Sequence, residues 1–427
     1  MLGVTALVLI GLVALSVPVA AALGILGLVL DNLYSFMPLG LAMGEILWQT
    51  STEYILIAIP LFVLLGEILL RSGIATRVYA AIAEWLSWLP GGLMHANIGA
   101  CAMFAATSGS SVATAATIGT VAEPEIRRHG YGERLFLGSI AAGGTLGILI
   151  PPSINLIIYG LLTNTSVPQL YLAGFIPGLL LALLFMTLIV VACIVTPHLA
   201  GRPPQTTWAR RISTLPDLLP PLGIFLVVVG SIYAGLATPT EAASLGVVAA
   251  LVLAAAYRTL TLDMLRQAIE GTMRTTAMIM LIILAASFLN FVLGALGVTQ
   301  AMTQFIDGLG LGAFGTLMVI VLAYLVLGCF METLSMLITT TPLIAPIVFA
   351  LGYDPVWFGI LLTVLLETAL IPPPVGMNLY VVQGIRPRGG MNDVIIGSLP
   401  FVIMMFVMIG LLIAFPQIAL WLPSLFY

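Results

Sequence analysis

Hydrophobic residues run in long blocks along this chain, separated by short polar joints. Apolar stretches fall near residues 2–30, 54–70, 92–106, 135–163, 170–195, 218–257, 277–296, 312–329, 343–371 and 394–415. Most reach the ~20 residues that an α-helix needs to cross a bilayer. Two weaker stretches are amphipathic. One is 74–89, with Arg77 and Glu84 beside Trp85 and Trp88, and the other is 298–309. Both are expected to lie as helices at the membrane interface, with the two Trp as anchors. The one clearly polar joint, 197–221, divides the chain into near-equal halves.

The blocks repeat. A constant shift of 222 (242 − 20) carries Ala20, Ala21, Leu23 and Gly24 onto Ala242, Ala243, Leu245 and Gly246. It also carries Thr117 onto Thr339, Pro124 onto Pro346, Gly130 and Tyr131 onto Gly352 and Tyr353, and Pro151 and Pro152 onto Pro373 and Pro374. One offset over nearly a whole half points to an internal duplication. The repeats are residues 1–200 and 223–427, joined by a linker at 201–222.

Arginine placement gives the two repeats their orientation. The loop 31–53 carries acids and no Arg, whereas its counterpart near 253–274 carries Arg258, Arg266 and Arg274. The segment 123–134 carries Arg127, Arg128 and Arg134, whereas its counterpart near 345–356 carries none. The loop 160–170 has none, and its counterpart has Arg386 and Arg388. Basic loops stay on the cytoplasmic face, so equivalent loops lie on opposite faces. The repeats are therefore expected to be inverted, as in many secondary transporters. The linker, with Arg202, Arg210 and Arg211, is read as cytoplasmic. Segment 223–257 then forms a hairpin turning near Thr238–Glu241. By symmetry 2–30 turns near Pro18, which puts the N-terminus outside.

Composition agrees with a lipid solvent. Of the 427 residues, 61% are hydrophobic and 7% charged, against ~25% charged in soluble domains. All 13 basic residues are Arg, so neither a Walker A phosphate loop nor Schiff-base chemistry on Lys is available. Nothing in the charge pattern calls for nucleic acid. Cys101, Cys193 and Cys329 stand singly in apolar runs and read as small buried hydrophobes. The N-terminus lacks the basic start of a signal peptide and reads as the first membrane element.

Candidate chemistry lies where helices are interrupted. Each half holds a run of small and hydroxyl residues within apolar sequence. These are Thr107, Ser108, Gly109, Ser110 and Ser111, and then Glu332, Thr333 and Ser335 with Thr339, Thr340 and Thr341. They are read as tips of re-entrant hairpins at about 92–122 and about 312–350. Each half also holds a proline break. Pro151, Pro152 and Asn155 interrupt 135–163, and Pro372, Pro373, Pro374, Gly376 and Asn378 interrupt 355–385. Proline removes a backbone donor, and freed carbonyls inside a membrane persist only where they line a cavity or bind something. Carbonyl, Ser, Thr and Asn oxygens suit a hard cation such as Na⁺. The N-termini of half-helices suit an anion. The competing reading is that small residues merely let helices pack closely; recurrence in both halves favours sites.

The stretches GGLMHANIGACAMFAATSGSSVATAATIGTVAEPEIRRHGY, GILIPPSINLIIYG and IPPPVGMNLYVVQG resemble the large membrane subunit of tripartite ATP-independent periplasmic (TRAP) transporters, DctM type. The resemblance covers almost the whole chain. It implies an all-α polytopic protein of the bacterial inner membrane, working as an elevator driven by a Na⁺ gradient. It implies two partners: a small membrane subunit of about four helices, expected as a separate chain, and a periplasmic substrate-binding protein. The implied substrates are small organic acids, including C4-dicarboxylates and sialic acids. Carried onto this chain, one Na⁺ site falls on Ser108, Gly109, Ser110, Ser111, Pro151, Pro152 and Asn155. The other falls on Thr333, Ser335, Thr339, Thr340, Pro374, Gly376 and Asn378. Ser110, Asn155, Thr340 and Asn378 are also placed at the substrate.

Single residues complete the reading. Glu67 precedes Arg71 by four and is read as its helical ion-pair partner. Glu332 at a tip and Glu367 before a break are intramembrane carboxylates with either a structural or a functional role. His95 reads as bland. Three rivals stay open: a stand-alone Na⁺/dicarboxylate symporter of related fold, a noncatalytic assembly subunit, and an intramembrane serine hydrolase using Ser108, Ser110 or Ser111 with His95.

Overall fold

A computed structural model of the chain describes residues 2–427 except residues 16, 203–205, 299, 302–303, 305–309, 329–330, 373–375 and 387. The side chains of residues 2, 6, 10, 13, 14 and 106–108 also lie outside the description. Helix is the only regular structure among the described residues. That follows from the solvent, because a helix satisfies its backbone groups within one segment.

The first half runs α1 (Leu2–Ala14), α2 (Val19–Tyr34), α3 (Met43–Ser51), α4 (Ala58–Arg71) and α5 (Ile74–Leu86). It continues with α6 (Leu93–Ser108), α7 (Ser111–His129), α8 (Glu133–Thr145), α9 (Ile154–Thr163) and α10 (Val167–Val195). After the short linker helix α11 (Trp208–Thr214) come α12 (Leu219–Tyr233), α13 (Pro239–Ala256) and α14 (Leu262–Ala295). The chain closes with α15 (Gly312–Gly328), α16 (Thr333–Ala350), α17 (Pro355–Ala369), α18 (Met377–Ile385), α19 (Met391–Ala414) and α20 (Gln417–Leu420). Six helical stretches among the described residues are long and apolar enough to cross a membrane. The shorter apolar helices belong to the hairpins and breaks.

Helix ends keep the offset of 222. The first residues of α7 and α8 plus 222 land on the first residues of α16 and α17 (111 + 222 = 333; 133 + 222 = 355). The start of α18 falls one residue past the shifted start of α9 (154 + 222 = 376, against Met377). Packing repeats as well. α2 packs on α14 and α13 on α4; α18 packs on α7 and α9 on α16. Each half thus lays part of its broken helix on the other half's hairpin. The ends of the broken helices are exchanged too. Arg386, just past α18, reaches Glu133 at the start of α8 (2.7 Å), while the Tyr159 hydroxyl on α9 donates to the Pro355 carbonyl at the start of α17 (2.7 Å). The two broken helices therefore run antiparallel, as inverted repeats require.

The helices fall into two groups. α6–α10 pack with α15–α19, and α1–α4 pack with α12–α14. The groups meet where α4 and α12 touch α6 and where α14 touches α16. Both expected hairpin turns are present. Pro18 precedes α2, and Thr238 opens α13 with a capping box in which Glu241 returns a bond to the Thr238 N–H. α5 is buried along most of its length, and Trp85, half-buried, donates its indole N–H to the Arg211 carbonyl (3.2 Å), beside an Arg210–Glu84 pair at 2.8 Å. Trp88 is exposed. The second amphipathic stretch, 298–309, falls largely outside the described residues.

Candidate functional site

A cavity of 270 Å³ opens between the two helix groups. Five places along the chain converge on it: the turn between α6 and α7, the start of α9, the start of α16, and facing positions on α4 and on α14. Of the anticipated residues it gathers Gly109, Ser110, Ser111, Asn155 and Thr333.

The first tip is a two-residue turn. Gly109 ends α6 at φ +60°, a conformation that favours glycine, and Ser110 caps α7 by accepting from the Ala113 N–H at 3.4 Å. Ser111 is buried, and its hydroxyl donates to the Thr145 carbonyl at the end of α8 (3.2 Å). The tip sits directly on the first break. A Cβ on Gly109 would lie 3.2 Å from the Pro152 carbonyl, and one on Gly147 would lie 2.8 Å from the Ser110 carbonyl. Pro151 and Pro152 thus support the tip without lining the cavity. Asn155 begins α9 with 3% of its surface exposed, and its Nδ2 has no hydrogen-bond partner. The Ser108 backbone closes α6; its side chain is outside the described residues.

The second tip differs. Glu332 caps α16, its carboxylate accepting from the Ser335 N–H (3.0 Å) and hydroxyl (3.3 Å). Thr339 and Thr340 are not tip residues, which corrects that assignment. They lie six and seven residues past Thr333, roughly 9–10 Å down the helix. Thr339 donates to the Ser335 carbonyl (2.6 Å), and Thr340 bonds the Tyr324 hydroxyl of α15 (2.7 Å). Ser335 is buried beneath the cap and does not line the cavity. In the second break Pro374 lies outside the described residues. Gly376 turns the chain at φ +43°, and a Cβ there would lie 2.7 Å from the Ile371 carbonyl. Asn378 is wholly buried away from the cavity; its amide donates to the Ala141 carbonyl of α8 (3.1 Å), and its Oδ1 has no partner.

Two polar lining residues were not placed at a tip or break by sequence, Glu67 and Thr275, and Glu332, read at the second tip, was assigned to neither cation site. Glu67 does pair with Arg71, as its spacing indicates, and it also faces the cavity. Its signal was a carboxylate within an apolar run. Among the described residues the cavity wall holds two carboxylates and no basic side chain. Glu367, near the end of α17, is fully buried, with the Leu149 backbone N–H directed at its carboxyl group. His95 sits at the far end of α6, with Nε2 2.8 Å from the Pro90 carbonyl. Thirteen residues separate it from Ser108, about 20 Å of helix, so no Ser–His pair forms.

The family model for the DctM component of the tripartite ATP-independent periplasmic transporter matches residues 6–418. The chain is 33% identical to a C4-dicarboxylate TRAP transporter large permease, DctM of Vibrio cholerae, over 98% of this chain and 96% of that protein. It is 32% identical to an ectoine TRAP transporter large permease, TeaC of Halomonas elongata, over 87% and 86% of the two chains. Among solved structures, the Alcanivorax borkumensis YdaH transporter superposes with a TM-score of 0.68 at 15% identity, covering 95% of this chain and 99% of that one. That last likeness concerns the fold.

Proposed function

Because the chain belongs to the DctM family of TRAP transporter large membrane subunits, we propose that it carries a small organic acid across the bacterial inner membrane in symport with Na⁺. The observation that carries this reading is the single cavity enclosed by both hairpin tips, the first break, α4 and α14. A site held between two separately packed helix groups is what alternating access needs. The repeat-built group, α6–α10 with α15–α19, moves as the elevator against α1–α4 and α12–α14.

The donor set fits a hard monovalent cation. Asn378 keeps one buried, unpartnered carbonyl oxygen beside a break that frees backbone carbonyls. Asn378, Gly376 and Thr333 would hold one Na⁺, and the Ser108–Ser111 turn with the Pro151–Ser153 break the other. Bound Na⁺ supplies the positive charge that a carboxylate needs in a cavity without Arg. The repeats 1–200 and 223–427 lie inverted about the membrane plane, with Arg127, Arg128 and the linker in the cytoplasm. A small membrane subunit and a periplasmic binding protein complete the transporter; the binding protein delivers the acid from outside.

Proteoliposomes containing the complex test this directly. Uptake should require the binding protein and an inward Na⁺ gradient. Uptake that persists when the Na⁺ gradient is collapsed, with a proton gradient intact, overturns the coupling. Uptake without any binding protein favours a stand-alone symporter.

A further inference from the structure

α5 lies between the two helix groups, against α4 on one side and α6 and α7 on the other. Its anchors belong to the group of α1–α4 and α12–α14. Only Ser72 and Gly73 separate it from α4, whereas six residues separate it from α6. Arg77 lies over the ring of Tyr257 at the end of α13, 4.4 Å from its centroid, and 3.8 Å from Asp217 just ahead of α12. Farther along, the linker helix α11 straps α5 through Glu84 and Trp85 before the chain runs on into α12. α5 is thus a brace of that group, and α6 of the other group packs along it.

Much of the seam between α5 and α6 is apolar. A Cβ added at Gly99 of α6 would lie 3.1 Å from Ile82 and 3.2 Å from Leu86 of α5. Apolar contacts are non-directional and can be remade after a slide. A hydrogen bond holds at one register only. The buried Tyr79 hydroxyl of α5 donates to Oδ1 of the buried Asn97 on α6, at 3.0 Å. The Asn97 amide in turn donates to the Ser139 hydroxyl of α8 at 2.8 Å, and that hydroxyl donates to the Phe136 carbonyl at 2.7 Å. Asn97 is therefore oriented from within its own group, and its acceptor is presented to the brace. About one turn away along α6, four residues in either direction, stand Leu93 and Cys101, and neither side chain offers an oxygen. A slide thus leaves a buried hydroxyl and a buried amide oxygen without partners, which opposes it.

We infer that the Tyr79–Asn97 hydrogen bond is a latch: it fixes the register at which the moving group rests on α5, and it opens before that group travels. The latch rests on the elevator reading above and adds to it a pair of residues outside the cavity. A single hydrogen bond biases the two positions without preventing exchange between them.

The test uses the purified complex with its small subunit in lipid nanodiscs. Nitroxide labels on Arg128→Cys, at the end of α7, and Leu262→Cys, at the start of α14, report the separation of the two groups by pulsed electron paramagnetic resonance; both positions are exposed. The parent should show a docked and a displaced distance. Tyr79→Phe keeps the ring and removes the hydroxyl, and should lower the docked-to-displaced ratio about fivefold. Asn97→Ala should do the same, and the double variant no more than either alone, so one single variant carries the test if the other fails to assemble. Ser139→Ala removes a bond whose partners travel together. It should lower the melting temperature and leave the ratio within twofold of the parent. A Tyr79→Phe complex with the parent's ratio overturns the latch and leaves the elevator intact. So does an equal shift from Ser139→Ala, because the network then serves packing alone. A parent with one distance only, with and without Na⁺, overturns the elevator reading itself.

Discussion

Asn378 donates its amide hydrogen to the Ala141 carbonyl, 3.1 Å away on α8, and so ties the second break to the first repeat's broken helix. The bond fixes the amide plane, and Oδ1 stays buried with no donor among the described residues. Asn155 has the complementary defect, an unmatched buried donor on a residue that lines the cavity. The two Asn therefore have different tasks.

Replacing them separates those tasks. Asn378→Ala should raise the Na⁺ concentration for half-maximal uptake about tenfold, which corresponds to ~1.4 kcal/mol. Asn155→Ala should instead raise the substrate concentration for half-maximal uptake at saturating Na⁺, with little change in Na⁺ dependence. Titrating Na⁺ and substrate independently against both variants checks the split. Identical shifts for the two variants would contradict it.

Thr340 and Ser110 should also diverge. Thr340 is engaged between the hairpin arms with Tyr324, far from the cavity. Thr340→Ala should lower the melting temperature, at a cost of ~1 kcal/mol for the lost hydrogen bond, and leave Na⁺ half-saturation unchanged. Ser110→Ala should raise Na⁺ half-saturation several-fold with little thermal effect, since its capping bond is long. Thermal melts paired with Na⁺ titrations decide the matter.

Gly147 is the floor on which the first tip rests. A Cβ there would meet the Ser110 carbonyl at 2.8 Å, a backbone atom that has no rotamer to change. Gly147→Ala should push the tip away at a cost of ~1–3 kcal/mol. Uptake should fall more than tenfold while the protein still assembles with its small subunit. Gly130, where an added Cβ meets nothing, supplies no such contact but adopts φ +66°, so Gly44→Ala in open space on α3 is the better control. That control should be close to silent in the same assay.

Inverted repeats make a topological prediction. Arg128 at the end of α7 and Asp354 before α17 flank equivalent hairpin-to-broken-helix joints, and both are exposed. Arg128→Cys and Asp354→Cys should react with an impermeant thiol reagent from opposite faces of the membrane. The described native cysteines Cys101 and Cys193 are buried and should contribute little background. Labelling of both engineered positions from one side would disprove the inversion.

The linear pattern was enough for the helices, their interruptions and their duplication, because these obey local or statistical rules. Pro151 and Pro152 break a helix whatever surrounds them, Gly109 can adopt a positive φ where other residues resist it, and arginines sort to one face by a rule of insertion. The composition of the cavity followed no such rule. Glu67 on α4 and Thr275 on α14 reach it only because those helices pack against each other and the two hairpin tips come to rest beside them. A hydroxyl's direction is likewise a tertiary matter: Thr339 and Thr340 belong to the same polar run as Thr333, yet the rotation of α16 turns them towards its own carbonyls and Tyr324. Ser110 and Glu332 stand 222 residues apart in the sequence, but only the folded chain makes them two caps on one cavity. A side chain's chemistry is carried by its identity, whereas its partner is chosen by packing, and the function of this site lies in the partners.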